Sequence, residues 1–178
     1  MIHYNKALLK LSKNKLKIKS EIISVEKSLN RILSTDLRSP SNYPAADNTA
    51  FDGFAINSKE TNKIKNKNFK KFKIIKTLAA GDNPTIKKVA KFSAIEVMTG
   101  AIIKKPFDTI IPVEKIKFFP DKIKPKYIIL NKRLKKNNFI RFLGSDFKKK
   151  EVIIKKGEII NSQHIRAFKT LGVEKILV

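Results

Sequence analysis

Residues 94–114 read AIEVMTGAIIKKPFDTIIPVE. Two short apolar runs, AIEVMTG (94–100) and TIIPVE (109–114), are separated by a stretch containing two lysines and Pro106. Runs of this length, bounded by Gly and Pro, read as strands, because helices need longer periodic segments. The same texture extends to either side in FKIIKTLAA (72–80), KYIIL (126–130) and EVII (151–154), with Gly81, Gly100, Pro120 and Gly144 as further punctuation. A short strand at 54–56 precedes them, and residues 57–71, polar and rich in Lys and Asn, predict an exposed excursion. Short strands at such spacing suggest a small barrel or sandwich.

The period changes toward both ends. Tyr4, Ala7, Leu8 and Leu11 fall at helical spacing and predict a short amphipathic helix over 2–12. KLKIK at 15–19 alternates, as a strand or a solvated linker would. Ser24 is a plausible N-cap for a helix over 25–34, with Val25, Leu29, Ile32 and Leu33 on one face. Pro40 and Pro44 then end regular structure. At the other end Asn161 predicts the cap of a helix through Thr170, with Ile165, Phe168 and Leu171 inward and Gly172 at C′. VEKILV alternates as a final strand. Both chain ends thus predict a discontinuous helical subdomain with a β domain inserted between them. No internal repeat is visible.

The chain has 178 residues, 42% of them hydrophobic, enough for a packed core. It has no Cys, which excludes a disulfide framework, thiolate zinc sites, iron–sulfur clusters and cysteine nucleophiles. His3 and His164 are the only histidines, so one chain cannot build a multi-histidine metal site; His164, one turn into its helix, reads as surface or capping. Apolar runs fall far short of the roughly 20 residues needed to cross a bilayer. MIHYNKALLK at the start shows no signal-peptide pattern, so the expectation is a cytoplasmic protein with no membrane partner.

The formal charge is +25, from 40 Lys and Arg against 15 Asp and Glu. Such an excess raises the question of nucleic acid, with Phe69, Phe72, Phe118 and Phe119 interleaved among lysines as stacking candidates. Only five of the basic residues are Arg, the side chain that reads bases and phosphates bidentately, which argues against that partner. Lys, Ile and Asn rising together fits drift in an AT-rich coding sequence, with Lys filling solvated positions. The distribution is more telling. No Lys occurs between Lys27 and Lys59, or between Lys91 and Lys104. Burial or a functional site could keep it out.

Each gap holds candidate chemistry. In the longer one, Asp47-Asn48-Thr49-Ala50-Phe51-Asp52-Gly53 carries two carboxylates with an amide and a hydroxyl, a set that can hold Mg²⁺ or orient a polar substrate. Spacing alone favours turn chemistry there, since Asn and Asp tolerate left-handed backbone and Asp-Gly is a common hairpin turn. In the shorter gap, Met98-Thr99-Gly100-Ala101 offers a hydroxyl and backbone N–H groups to an oxyanion, or simply ends a strand. Glu96, Asp108 and Glu114 read as solvent-facing strand carboxylates, and Gly144-Ser145-Asp146 as a turn or polar cluster. No Rossmann, Walker or GxSxG pattern is present.

Taken together, three segments resemble the molybdopterin molybdenumtransferase family (MoeA and the E domain of gephyrin). PAADNTAFDGFAI (44–56) is similar to its P-x-F-D-N-S-A-M-D-G-Y-A-V. VMTGAIIKKPFDTIIPVE (97–114) is similar to I-M-T-G-A-P-x-P-x-G-A-D-A-V-V-x-x-E. The stretch from Ile140 to Val178, opening IRFLGSD, is similar to the family segment that opens I-R-x-x-G-E-D-I. SLNRILSTDLRSP (28–40) resembles the A-x-G-R-x-L-A-x-D-V that precedes them. The first two motifs coincide with the two Lys gaps.

The resemblance implies an α+β fold, mostly β, with an elongated β domain inserted into a small split α/β subdomain formed by both chain ends. The implied boundaries are 1–20 for the N-terminal helix and linker, 21–43 and 141–178 for the split subdomain, and 44–140 for the β domain. It implies insertion of molybdenum from molybdate into adenylylated molybdopterin, with Mg²⁺ and release of AMP. It also implies a homodimer whose active site lies between this β domain and a nucleotide-type domain of the other subunit. By motif position, Asp52 positions metal or molybdate and Thr99 hydrogen-bonds an oxyanion. Asp47, Asn48 and Thr49 shape the loop, Gly100, Ser145 and Asp146 line the substrate side, and Arg141 and Asp146 match the third motif. Ser145 stands where the family has Glu, Phe51 where it has Met, and Lys104-Lys105-Pro106 departs from the second motif. The family runs to roughly twice this length, and its cofactor-binding domain would begin about where Val178 falls. The expectation is therefore a fragment or split-gene product that needs a chain carrying the pterin-binding domain for turnover. The alternatives are a non-catalytic dimerisation or scaffold module of the same fold and, behind it, a basic nucleic-acid-binding domain.

Overall fold

The computed structural model describes residues 2–14, 18–64 and 68–178. Residues 15–17 of the alternating KLKIK, and 65–67 of the polar excursion, lie outside the described residues. The chain divides into two compact units, one of Met1–Pro40 with Val152–Val178, the other of Ser41–Glu151.

The first unit begins with helix α1 (Tyr4–Lys13), then strands β1 (Ile22–Ser24) and β2 (Leu37–Arg38). Its later part holds β11 (Val152–Ile154), helix α2 (Ser162–Thr170) and β12 (Lys175–Leu177). β1 pairs antiparallel with β12, and β2 with β11. The core is Val25, Leu33, Ile154, Ile160, Phe168, Ile176 and Val178. Helix α2 starts as its sequence predicts: the Asn161 side chain accepts from His164 N–H at 3.0 Å, and His164 Nδ1 accepts from Asn161 N–H at 3.3 Å. His164 is thus a capping residue, and Gly172 leaves the helix with φ +72.

The predicted helix over 25–34 does not form. Only a 3₁₀ turn at Val25–Lys27 is present, and Ser24 makes no side-chain cap bond. Asn30 is left-handed with φ 63, which no helix accommodates. The backbone bonds a distant segment instead: Asn30 N–H donates to Ile160 O, Ile160 N–H to Arg31 O, and Leu33 N–H to Glu158 O. These bonds replace the local i to i−4 ladder. Val25 and Leu33 are buried, but Leu29 and Ile32 are exposed, so their shared helical face never existed.

The second unit carries β3 (Asn48–Thr49), β4 (Gly53–Ile56), β5 (Lys70–Leu78), β6 (Ser93–Val97), β7 (Thr109–Pro112), β8 (Lys117–Phe119), β9 (Tyr127–Leu130) and β10 (Ile140–Arg141). Six of them form one sheet in the order β7-β4-β6-β5-β9-β8, where the sequence suggested a barrel or sandwich. β5 and β6 run parallel; every other pairing in it is antiparallel. Alternate residues feed two cores. Phe54, Ile56, Phe72, Ala94, Ile111 and Ile128 pack together, while Ala55, Leu78, Ile95, Val97, Phe107 and Ile110 form a second cluster. Central strands buried on both faces explain why AIEV and TII read as continuous apolar runs. Asp108 is no solvent-facing strand carboxylate: it accepts from Ser58 N–H at 2.6 Å and Ser58 O–H at 3.0 Å.

Candidate functional site

β4 enters the sheet between β6 and β7, with Gly53 opposite Val97 on one side and Pro112 on the other. The strands are antiparallel, so the residue just before β4 meets the residues just after β6. Asp52 and Thr99 are those residues. Gly53 is required by space: a Cβ there would lie 2.0 Å from Ile111 O. Val113 N–H, at the end of β7, donates to Asp52 O at 3.1 Å and fixes the Asp52 backbone.

Thr99 N–H donates to Asp52 Oδ1 at 2.6 Å, and the Thr99 hydroxyl donates to the same oxygen at 2.7 Å. The two residues, 47 positions apart, thus form one pair on the exposed surface. The Thr99 backbone N–H foremost, and then its hydroxyl, hold the Asp52 carboxyl below the usual range. Oδ2 receives no hydrogen bond among the described residues. The pair therefore presents an ionised, oriented carboxylate with one open oxygen. Both Thr99 donors are committed to Asp52, so an oxyanion meets them only by displacing that carboxylate. Gly100 turns the chain at φ +86 and donates its N–H to Thr49 O at 2.9 Å, joining the two motif loops.

The other residues of the motifs lie in the same unit. Asp47 Oδ1 accepts from Leu143 N–H at 2.8 Å across 96 residues of sequence, and Asp47 O accepts from Ile103 N–H. Asn48 pairs with Arg141 in the β3–β10 ladder, and its side-chain oxygen is buried without a partner among the described residues. Thr49 is buried; its hydroxyl donates to Phe51 O at 2.5 Å and accepts from Phe51 N–H at 3.2 Å, fixing the turn into Asp52. Arg141 pairs with Asp146 at 2.6 Å, and the Ser145 hydroxyl donates to Asp146 Oδ1 at 3.1 Å. The three motifs are brought together by backbone and side-chain bonds. The sequence matched Arg141 and Asp146 to one motif, but their ion pair, and the Leu143 contact to Asp47, had no sequence signal.

Among the described residues, no group of three His, Cys, Asp or Glu is placed to hold a metal ion. Mg²⁺ retains several waters and takes one or two carboxylates with substrate oxygens, so one open carboxylate oxygen fits that ion in that mode only.

The family described as the MoeA N-terminal region (domain I and II) matches residues 2–172. The molybdopterin molybdenumtransferase of Staphylococcus aureus is 31% identical over 156 residues, covering 88% of this chain and 36% of that protein. The molybdopterin molybdenumtransferase of Bacillus subtilis is 28% identical over 159 residues, 89% of this chain and 36% of that protein. The crystal structure of the molybdopterin biosynthesis moeA protein from Pyrococcus horikoshii superimposes with a TM-score of 0.87 at 29% identity, covering all of this chain and 46% of that one. The chain spans about a third of the length of the curated relatives it matches.

Proposed function

The chain belongs to the family of the MoeA N-terminal region, and from that premise we propose that it acts in molybdenum cofactor biosynthesis. In this reading it supplies part of an active site that inserts molybdenum from molybdate into adenylylated molybdopterin, releasing AMP. The observation that carries the reading is the Asp52–Thr99 pair: the two motifs converge on one carboxylate with an open oxygen. Thr99 fixes the Asp52 rotamer and keeps the group ionised. Asp52 is the residue that would hold Mg²⁺, and the ion would offset the repulsion between that carboxylate and anionic substrates. Gly100 and Thr49 hold the two loops in register. Arg141 is neutralised by Asp146, so it serves the loop before it serves a substrate. In the same reading the pterin-binding part of the site faces this unit within a homodimer or a mixed assembly. The reading carries with it a cytoplasmic location.

The test is molybdenum insertion into adenylylated molybdopterin by this chain alone, and mixed with a family enzyme inactivated at its own counterpart of Asp52. The expected result is activity in the mixture only, lost when this chain carries Asp52→Ala. No rescue from a folded, dimer-forming chain would leave the scaffold reading and remove the roles given to Asp52 and Thr99.

A further inference from the structure

Phe51, the residue before Asp52 in the chain, and Phe139 are exposed aromatic side chains in contact with each other. Phe51 is 48% exposed and Phe139 37%, and their rings meet edge to face, 5.0 Å between centroids at 80°. Other large apolar side chains are exposed too, Phe142 and Leu143 among them; this pair differs in that one of its rings is held by a strained backbone.

Phe139 is also strained. Its φ is 56, in the left-handed region that bulky side chains avoid. Phe92 has nearly the same angle, φ 57, but its ring packs edge to face on the fully buried Phe72, so burial offsets the strain. Phe139 gains no comparable burial. Asn137, two positions earlier, takes the left-handed conformation with the side chain suited to it. Around Phe139 the backbone is fixed: Ala50 N–H donates to Phe139 O at 3.0 Å, and Ile110 N–H to Asn138 O at 3.0 Å. The strained residue thus holds an aromatic ring against Phe51.

A cation completes the corner. Lys115 Nζ lies 5.6 Å from the Phe139 ring centroid, on the turn that leaves β7 where Val113 N–H bonds Asp52 O. Two exposed aromatic rings in contact offer a planar guest a surface on which it can stack. The ammonium beside them suits an anionic group on the same guest.

We infer that Phe51, Phe139 and Lys115 form a stacking platform for a planar heteroaromatic ring that carries a phosphate. The inference rests on the reading above, in which the substrate carries both an adenine and a pterin ring. Either ring has the required chemistry.

The experiment is an NMR titration of the full chain, with ¹³C-labelled Phe, against AMP, a pterin monophosphate and ribose 5-phosphate. Ring-current shifts at Phe51 and Phe139 with AMP alone assign the platform to adenine, and with the pterin alone to pterin. Ribose 5-phosphate leaves the rings unmoved. Phe139→Asn weakens the ring-bearing probe by about tenfold, the scale of one lost stacking contact. It leaves the thermal midpoint equal or higher, because Asn relieves the left-handed strain; a merely structural Phe139 would lower it. Phe51→Leu weakens binding to a similar degree without touching the strained backbone. The platform is overturned if neither ring-bearing probe shifts the two rings, if ribose 5-phosphate binds as well as AMP, or if affinity survives Phe139→Asn. Full rescue of the mixed assay by a Phe139→Asn chain also removes it while leaving the proposed function standing. Ring binding without rescue by the unaltered chain does the reverse.

Discussion

At the scale of single residues, Asp52 is governed by its two bonds from Thr99. Titration of the Asp52 carboxyl carbon by NMR is expected to give a midpoint below the ordinary aspartate value. Thr99→Val removes only the hydroxyl, the smaller of the two lowering causes, so the midpoint rises part of the way. A carboxylate whose folded pKa lies below its unfolded one stabilises the fold above the unfolded value and loses that contribution as pH falls through the folded value. Wild type and Asp52→Asn are therefore expected to differ in stability at neutral pH and to converge in acid, as denaturant midpoints measured across pH will show. In the mixed assay, Asp52→Asn keeps the shape and removes the charge; loss of activity there separates charge from geometry. The pairing itself was not legible in the sequence, where Asp52 and Thr99 each read first as turn residues. Resemblance singled them out, and the β4–β6 register joined them.

At the scale of elements, Gly53 and Asn161 carry the sharpest expectations. Gly53→Ala drives a Cβ into the Ile111 carbonyl of the neighbouring strand, so β4 and β7 must separate. A loss of about 3 kcal/mol is expected from chemical denaturation, the upper end for overpacking because backbone cannot move aside. Asn161→Ala removes the acceptor for His164 N–H and is expected to cost about 1 kcal/mol by the same measurement. The two helices show what local pattern can and cannot do. α2 has a cap, an inward Phe168 and a terminal Gly172, and all of these agree with its context. The 25–34 segment has equally good apolar spacing, yet its backbone partners lie near residues 158–160, where no local signal reaches. The strands were legible because central burial makes them short apolar runs.

At the scale of the whole molecule, the charge of +25 sits on the surface. No described Lys is buried. The two Lys gaps contain Gly53–Ile56 and most of β6, all of which are interior, together with Asp52 and Thr99. Burial accounts for most of the shorter gap but only part of the longer one, where many positions are exposed, and the site lies where the buried strands end. A surface of scattered Lys predicts weak retention on DNA or RNA that falls steeply with salt and shows no sequence preference. Binding to one sequence at physiological ionic strength would instead revive the nucleic-acid reading. No described helix is long and apolar enough to cross a membrane.

The sequence by itself determined the strand and helix texture, the cap of α2, the absence of thiol and multi-histidine chemistry, and, through its motifs, the family. These are properties of neighbours in the chain: periodicity, punctuation and residue type. Tertiary structure alone decided that Ser24 starts no helix, that one six-stranded sheet carries the core of the second unit, and that Asp52 shares an oxygen with two donors of Thr99. It also decided that Phe51 meets Phe139. The reason is physical: a backbone group far along the chain can satisfy an N–H as well as a local one, and only strand register fixes which distant residues meet.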